Sequence, residues 1–228
     1  MKKLRYRNEL KHYINSIDCI LLKNKLTHIM QRDQNSRPDG KYLIRSLYFD
    51  TPDDKALIEK ITGVDNREKF RLRFYNHDTN FVRLEKKSKI NGFTNKISSP
   101  ISKNQCELIQ KGEIEWLYTS GNKLFMELYS KIVHQRLMPT TVVDYEREAY
   151  IYKPGNVRVT IDSSIRTGLR STNFFDKNLP TIEALDNNLS VLEVKYDNFL
   201  PEVIGDIVQI GERHKLSVSK YALCRIYC

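Results

Sequence analysis

Apolar and polar positions alternate over residues 4–14, 42–49, 70–75, 80–89, 140–152, 157–162 and 190–196, and a run at 221–226 has similar β-branched and aromatic content. A strand turns successive side chains to opposite faces, so these stretches predict eight β-strands, most with one apolar face. Helices are predicted at 16–32, 52–61, 102–111, 124–137 and 201–213. In the first, Ser16 reads as the cap and Ile17, Ile20, Leu21 and Ile29 as the apolar stripe; in the third, Ser102 and Gln105 form a capping box. Strands outnumber helices and are mostly joined as neighbours by short loops. The fold class predicted is α+β, with an antiparallel sheet large enough to close into a β-barrel. No repeat, low-complexity segment or Pro/Ser/Gly linker divides the chain, so residues 1–228 read as one domain.

The polar faces carry the chemistry. In 68–75, Lys69, Arg71 and Arg73 share a face, with Phe70, Leu72 and Phe74 opposite. In 83–89, Arg83, Glu85, Lys87 and Lys89 fall together. Val157, Val159 and Ile161 oppose Arg158, Thr160 and Asp162, and Leu192, Val194 and Tyr196 oppose Glu193 and Lys195. Near the start, Arg7, Glu9 and Lys11 share a face. Rows of like charge repel at short range, and a merely solvated face would interleave signs or use Thr and Ser. With that face turned inward, a closed sheet becomes a tunnel of Lys and Arg, with forks and point charges suited to phosphate oxygens. Glu85 and Glu193 are costly on such a lining unless each holds a divalent metal or pairs with Lys87 or Lys195, two places along the same strand. The alternation leaves both readings open.

The overall charge agrees with the pattern. Thirty-eight Lys and Arg against 28 Asp and Glu give +10 over 228 residues. The candidate partners are therefore nucleic acid, anionic membrane, or phosphate-rich molecules and polymers. Phe70, Phe74 and Tyr196 fall opposite the basic residues rather than among them, so base stacking, and with it nucleic acid, is not expected. No apolar run reaches the roughly 18 residues of a membrane span, and the basic N-terminus lacks a signal-peptide core, so the expectation is a cytoplasmic protein. Cys19, Cys106, Cys224 and Cys228 form no C-x-x-C pair and read as free thiols, and the five histidines show no metal-ligand spacing. A phosphate-cradling G-x-x-x-x-G-K-[ST] loop, the kinase signatures and a G-x-S-x-G elbow are all missing. No covalent nucleophile is indicated.

Eight segments occur in an order that resembles VTC domains, the catalytic domains of vacuolar transporter chaperone polyphosphate polymerases and their stand-alone bacterial relatives. They are Arg7-Asn-Glu-Leu-Lys11, Leu47-Tyr-Phe-Asp-Thr51, Lys69-Phe-Arg-Leu-Arg73, Leu84-Glu-Lys-Lys-Ser-Lys89 with Asn91-Gly92 and Lys96, Tyr145-Glu-Arg147, Val157-Arg-Val-Thr-Ile-Asp162, Leu192-Glu-Val-Lys195 and Ser219-Lys-Tyr221. The resemblance implies a triphosphate tunnel, an antiparallel barrel with helices outside. It also implies transfer of the γ-phosphoryl group of ATP to a growing polyphosphate chain, with Mn²⁺ or Mg²⁺ as cofactor. Carried over by motif, Lys11, Arg71, Arg73, Lys87, Lys96, Arg147 and Arg158 would bind phosphates, joined from the same basic rows by Lys69 and Lys89. Glu193 would hold the metal with Lys195 beside it, Glu85 is the alternative ligand, and Ser219 and Lys220 would reach phosphate from the last segment. Arg71, Arg73, Lys87, Arg158 and Glu193 would serve the transfer step itself. The SPX module and membrane helices of the eukaryotic relatives have no counterpart here, which leaves a membrane protein as a partner rather than a part.

Two departures bear on the reading. CYTH-type triphosphatases, hydrolases with the same tunnel, carry E-x-E-x-K on the first strand, whereas this chain has Arg7-x-Glu9-x-Lys11. Exchanging a metal-directed carboxylate for a cation weakens water activation and favours holding a polyanion, which puts polymerase ahead of triphosphatase; a non-catalytic polyphosphate-binding module is the further alternative, separated by Glu193→Ala. Polymerase members of the family can also carry a basic residue two places before the last serine. Here that place is Ser217, with Lys215 as the nearest substitute.

Overall fold

The computed structural model describes residues 7–91, 93–209 and 218–226. Among these, the strands are β1 (Asn8–Asn15), β2 (Gln31–Arg32), β3 (Lys41–Asp50), β4 (Arg67–Tyr75), β5 (Asp78–Ile90), β6 (Phe93–Ile101), β7 (Met138–Tyr152), β8 (Val157–Thr167), β9 (Ile182–Glu183) and β10 (Leu189–Tyr196). All join one antiparallel sheet in the order β1-β10-β8-β7-β3-β4-β5-β6, with β2 added to β7 and β9 to β8. The helices are α1 (Ser16–Ile29), α2 (Lys55–Ile61), α3 (Lys103–Lys111), α4 (Glu115–Thr119), α5 (Lys123–Gln135), α6 (Glu202–Val208) and α7 (Lys220–Arg225).

The apolar faces predicted from alternation are the buried outer faces of a curled sheet. Phe70, Leu72 and Phe74 of β4 and Leu84 of β5 pack with Cys106 and Ile109 of α3, Leu117 of α4, and Leu124, Phe125 and Leu128 of α5. On the other half, Val157, Val159, Ile161, Leu192 and Val194 pack under Leu22 and Leu26 of α1 and Ile204 and Val208 of α6. Burying each such side chain is worth about 1.5–3 kcal/mol, which anchors the helices outside.

The sheet does not close by backbone pairing: among the described residues no ladder joins β1 to β6. The two arms meet instead through side chains, Lys87 of β5 donating to Glu9 of β1 at 3.2 Å. The inner face is not uniformly basic either. Tyr42, Ile44, Tyr48, Val143 and Tyr145 form an apolar patch, covered by Val218 and by Tyr221 and Cys224 of α7.

Four expectations need correction. Residues 221–226 are not a strand: Ser219 Oγ accepts from the Ala222 amide at 3.4 Å and starts helix α7, a local cap overriding β-branched and aromatic content. Helix α1 is capped by Asn15 rather than Ser16, its side chain accepting from the Asp18 amide at 2.9 Å while Asp18 accepts from the Asn15 amide at 3.2 Å. The predicted stripe of Ile17, Ile20, Leu21 and Ile29 faces solvent, whereas Cys19, Leu22, Leu26 and Met30 are buried. That helix is apolar on two sides, and the second stripe lies over the sheet. Strand β6 and helix α4 were not expected; β6 is polar and contains Pro100, which an edge strand tolerates. The predicted strand start at 4–6 and the helix extension over 210–213 fall outside the described residues, as do Gly92, Lys215, Ser217 and Cys228. Cys19, Cys106 and Cys224 are buried and form no disulfide among the described residues.

Candidate phosphate tunnel

Register determines which inward side chains meet. Lys69 stands opposite Lys87 and Arg71 opposite Glu85 on β4 and β5, and Lys87 opposite Lys96 on β5 and β6. Across the other half, Lys11 faces Glu193, Lys195 faces Arg158 and Arg147 faces Asp162. Between the arms lies a cavity of about 920 Å³, its wall including Arg7, Glu9, Lys11, Lys60, Arg67, Lys69, Lys87, Lys89 and Ser219.

The first cluster is built on two carboxylates. Glu193 is buried at 5% exposure and meets Lys195 at 2.7 Å, Lys11 at 3.2 Å and Arg147 at 3.8 Å. Lys11 also reaches Glu9 at 2.5 Å and the Val218 carbonyl at 3.4 Å. Arg147 forks onto Asp162 at 2.6 and 2.7 Å, and Lys220 meets the same carboxylate at 2.5 Å while lying over the Tyr145 ring. The second cluster centres on Glu85, which pairs with Arg71 at 2.6 Å on one oxygen and with Lys96 on the other. Arg71 donates to Tyr48 Oη at 2.9 Å, and Arg73 to Ser46 Oγ and Tyr145 Oη at 2.9 and 3.0 Å. Arg158 sits apart from both, held by Asp33 at 2.6 Å and Tyr42 Oη at 2.8 Å. Lys89 is at the rim, 3.4 Å from Asp65.

Charge balance follows from these contacts. Burial alone would raise Glu85, but Arg71, Arg73 and Lys96 hold it far below the usual carboxylate range. Burial likewise opposes ionisation of Glu193, and Lys195, Lys11 and Arg147 prevail, keeping it charged. Lys11 is pulled down by burial yet raised above the ordinary lysine value by Glu193 and Glu9. Three other lysines go the other way: burial lowers Lys195 to about 8 despite Glu193, and lowers Lys87 and Lys96 despite Glu9 and Glu85. Lys69 is lowered furthest, by burial and by Lys87, Arg71, Lys11 and Lys60.

The donor set bears on a metal. Among the described residues no three His, Cys, Asp or Glu side chains gather into a protein-only cage. Glu9 and Glu193 do face one another through Lys11. Hard divalent cations are often held by one or two carboxylates plus substrate phosphates, so this pair fits a cation shared with a polyphosphate. Glu85 is paired through both oxygens with Arg71 and Lys96, as Glu193 is with Lys11, Lys195 and Arg147, but among the described residues no second carboxylate shares the cations of Glu85.

Alternation thus identified most of this lining, while several participants were missed. Tyr48 lay inside the Leu47–Thr51 segment, and the alternation of β3 puts it on one face with Tyr42, Ile44 and Ser46, a signal that was present. Tyr42, Tyr48 and Tyr145 line the basic face, so aromatics are not confined to the opposite side. Lys60 arrives on α2 by tertiary packing alone, and no strand pattern announces it.

Comparison with known proteins agrees with this geometry. The family model of the VTC domain matches residues 6–226. Among solved structures, the chain is similar to the Hippeastrum protein HpAC1, an adenylyl cyclase candidate with a dominant triphosphatase activity. The two share 13% identity and a TM-score of 0.55, over 97% of this chain and 96% of that one. It is also similar to the PH1012 protein of Pyrococcus horikoshii OT3, with 13% identity and a TM-score of 0.52 over 96% and 99% of the two chains. At these identities the likeness is one of fold, the triphosphate tunnel. No curated protein matches the chain.

Proposed function

Because the chain belongs to the VTC domain family, a tunnel-fold family of phosphoryl-transfer and triphosphatase proteins, we propose that it moves the γ-phosphoryl group of ATP onto the end of a polyphosphate chain. The observation that carries this reading is the cation excess around two inward carboxylates: Lys11, Lys87, Lys195 and Arg147 surround half-buried Glu9 and buried Glu193. Such a site neutralises a polyanion. The position where triphosphatases of this fold carry their first glutamate holds Arg7, which turns to Asp197 at 3.0 Å.

In the transfer, the bond between the γ-phosphorus and its bridging oxygen breaks, ADP leaves with the electron pair, and an oxygen of the terminal chain phosphate forms the new P–O bond. That oxygen is already ionised at neutral pH, so no general base is needed. Arg71 and Arg73 are fixed by Glu85, Tyr48, Ser46 and Tyr145, so their guanidiniums are oriented before substrate arrives, where positioning and charge stabilisation do most of the work. Lys87, Lys96, Arg147 and Arg158 bind phosphate oxygens along the chain, and Ser219 and Lys220 close on them from α7. Glu193, with Glu9, would hold Mn²⁺ or Mg²⁺, which when bound neutralises charge developing on the phosphate oxygens.

Incubating the protein with γ-labelled ATP and Mn²⁺, with and without a short polyphosphate primer, tests the assignment. Labelled chains forming a ladder alongside ADP are expected. Free phosphate without chains would move the protein to the triphosphatases, the activity of the Hippeastrum neighbour. Retained polyphosphate binding without turnover would leave a binding module. Glu193→Ala should abolish turnover while leaving polyanion affinity unchanged or raised.

A further inference from the structure

Most lysines that project into the tunnel meet a carboxylate there. Lys11 has Glu9 and Glu193, Lys87 has Glu9, Lys96 has Glu85, Lys195 has Glu193 and Lys220 has Asp162. Lys69 differs. Among the described residues its ammonium meets the Ser219 hydroxyl at 3.3 Å and the face of the Tyr48 ring at 5.8 Å, and no carboxylate lies within ion-pair distance. It projects into the 920 Å³ cavity from the middle of the basic row. The groups around it come from every neighbouring element: Lys11 and Glu9 from β1, Tyr48 from β3, Arg71 from its own strand, Lys87 from β5 and Lys60 from α2. Glu9 is already spoken for by Lys11 and Lys87. An amine so placed has cations on several sides and no carboxylate paired to it until a ligand brings opposite charge.

Resting on the phosphate-tunnel reading, we propose that Lys69 is a proton-accepting anchor for substrate: it holds its proton weakly in the empty tunnel and firmly once phosphate oxygens arrive, so that loading the tunnel draws protons in and emptying it releases them. Burial and the surrounding cations set the empty state, and a polyanion reverses both effects at once. The device lets the tunnel carry less self-repulsion when vacant than its residue count suggests. It also makes affinity fall as pH rises, because each binding event then draws a scarcer proton.

Calorimetric titration of inorganic tripolyphosphate into the full chain, in buffers of different ionisation enthalpy, tests this without ATP, metal or turnover. Compared are the wild type, Lys69→Arg and Lys69→Met, each first shown to be folded by near-ultraviolet circular dichroism. At alkaline pH the wild type should take up more protons per tripolyphosphate than Lys69→Arg, which is charged at every pH. The ligand's own ionisation is common to both proteins and cancels in the difference. Lys69→Met should lose the same uptake and bind roughly tenfold more weakly, the scale of a lost charged hydrogen bond. Equal proton uptake by wild type and Lys69→Arg overturns the proposal while leaving the tunnel reading intact. Absence of tripolyphosphate binding by the folded wild type overturns both.

Discussion

Glu85 illustrates how single residues divide their work between fold and site. Its carboxylate, almost fully buried, fixes Arg71 and Lys96 from two strands. Glu85→Gln should destabilise the protein by about 3 kcal/mol in urea unfolding, because the guanidinium of Arg71 loses its counter-charge. Tripolyphosphate should restore more stability to this variant than to the wild type, since a bound anion supplies the missing charge. The pH dependence has a defined sign. A carboxyl depressed in the native state adds stability above the ordinary carboxylate range, and that stability is lost as acid carries it towards its native value. The stability gap between wild type and Glu85→Gln should therefore narrow as pH is lowered through that range. Arg45 shows a different use of charge: it forks onto Asp144 at 2.8 and 2.7 Å with both residues buried, and also reaches the Phe174 carbonyl. Asp144→Ala should cost about 3 kcal/mol of stability and leave tripolyphosphate affinity unchanged.

At the scale of elements, the Leu47–Thr51 segment ties two helices to the tunnel. Asp50 is fully buried and accepts from the amides of Ala56 and Leu57 at 2.8 and 3.1 Å, so it caps α2 from outside that helix. Tyr221 of α7 donates to the same carboxylate. One side chain thus positions the helix bearing Lys60 and the helix that Ser219 begins. Asp50→Asn should lower stability by about 1–3 kcal/mol and weaken polyanion binding, whereas Thr140→Ala, half-buried at the far end of β7, should change neither. This connection was not legible in the sequence. The five-residue motif stood out, but which of its side chains caps a helix depends on where α2 packs. What alternation did reveal was the inward row on each long strand, because a period of two assigns every residue of a half-buried strand to a face. It failed where two stripes competed, on α1, and where a cap outweighed strand content, on α7.

For the whole molecule, the balance is between a site that wants phosphate and a chain that must fold without it. Lysines crowded against one another cost stability in the empty tunnel, and burial has lowered several of them accordingly. Lys87→Met should therefore leave the free protein as stable or more so, while weakening tripolyphosphate binding roughly tenfold, a trade read by thermal melting with and without ligand. Melting of the wild type should rise with tripolyphosphate concentration, as mass action requires of any ligand that prefers the native state. No helix among the described residues is long and apolar enough to cross a membrane.

The pairing of β1 with β10 sets an order in time. Lys11 and Glu193 sit in register, yet they lie on the first and last strands of the sheet's chain order. Contacts between segments so far apart form late, after the intervening hairpins have shortened the effective loop. During synthesis, Lys11 leaves the ribosome early and waits for nearly the whole chain before Glu193 exists. The β3-β4-β5-β6 arm, with α3, α4 and α5 packed on it, can assemble meanwhile. The carboxylate pair is then completed late, and a nascent chain stalled before residue 189 carries the arginines of the tunnel but neither Glu193 nor the lysines that follow it.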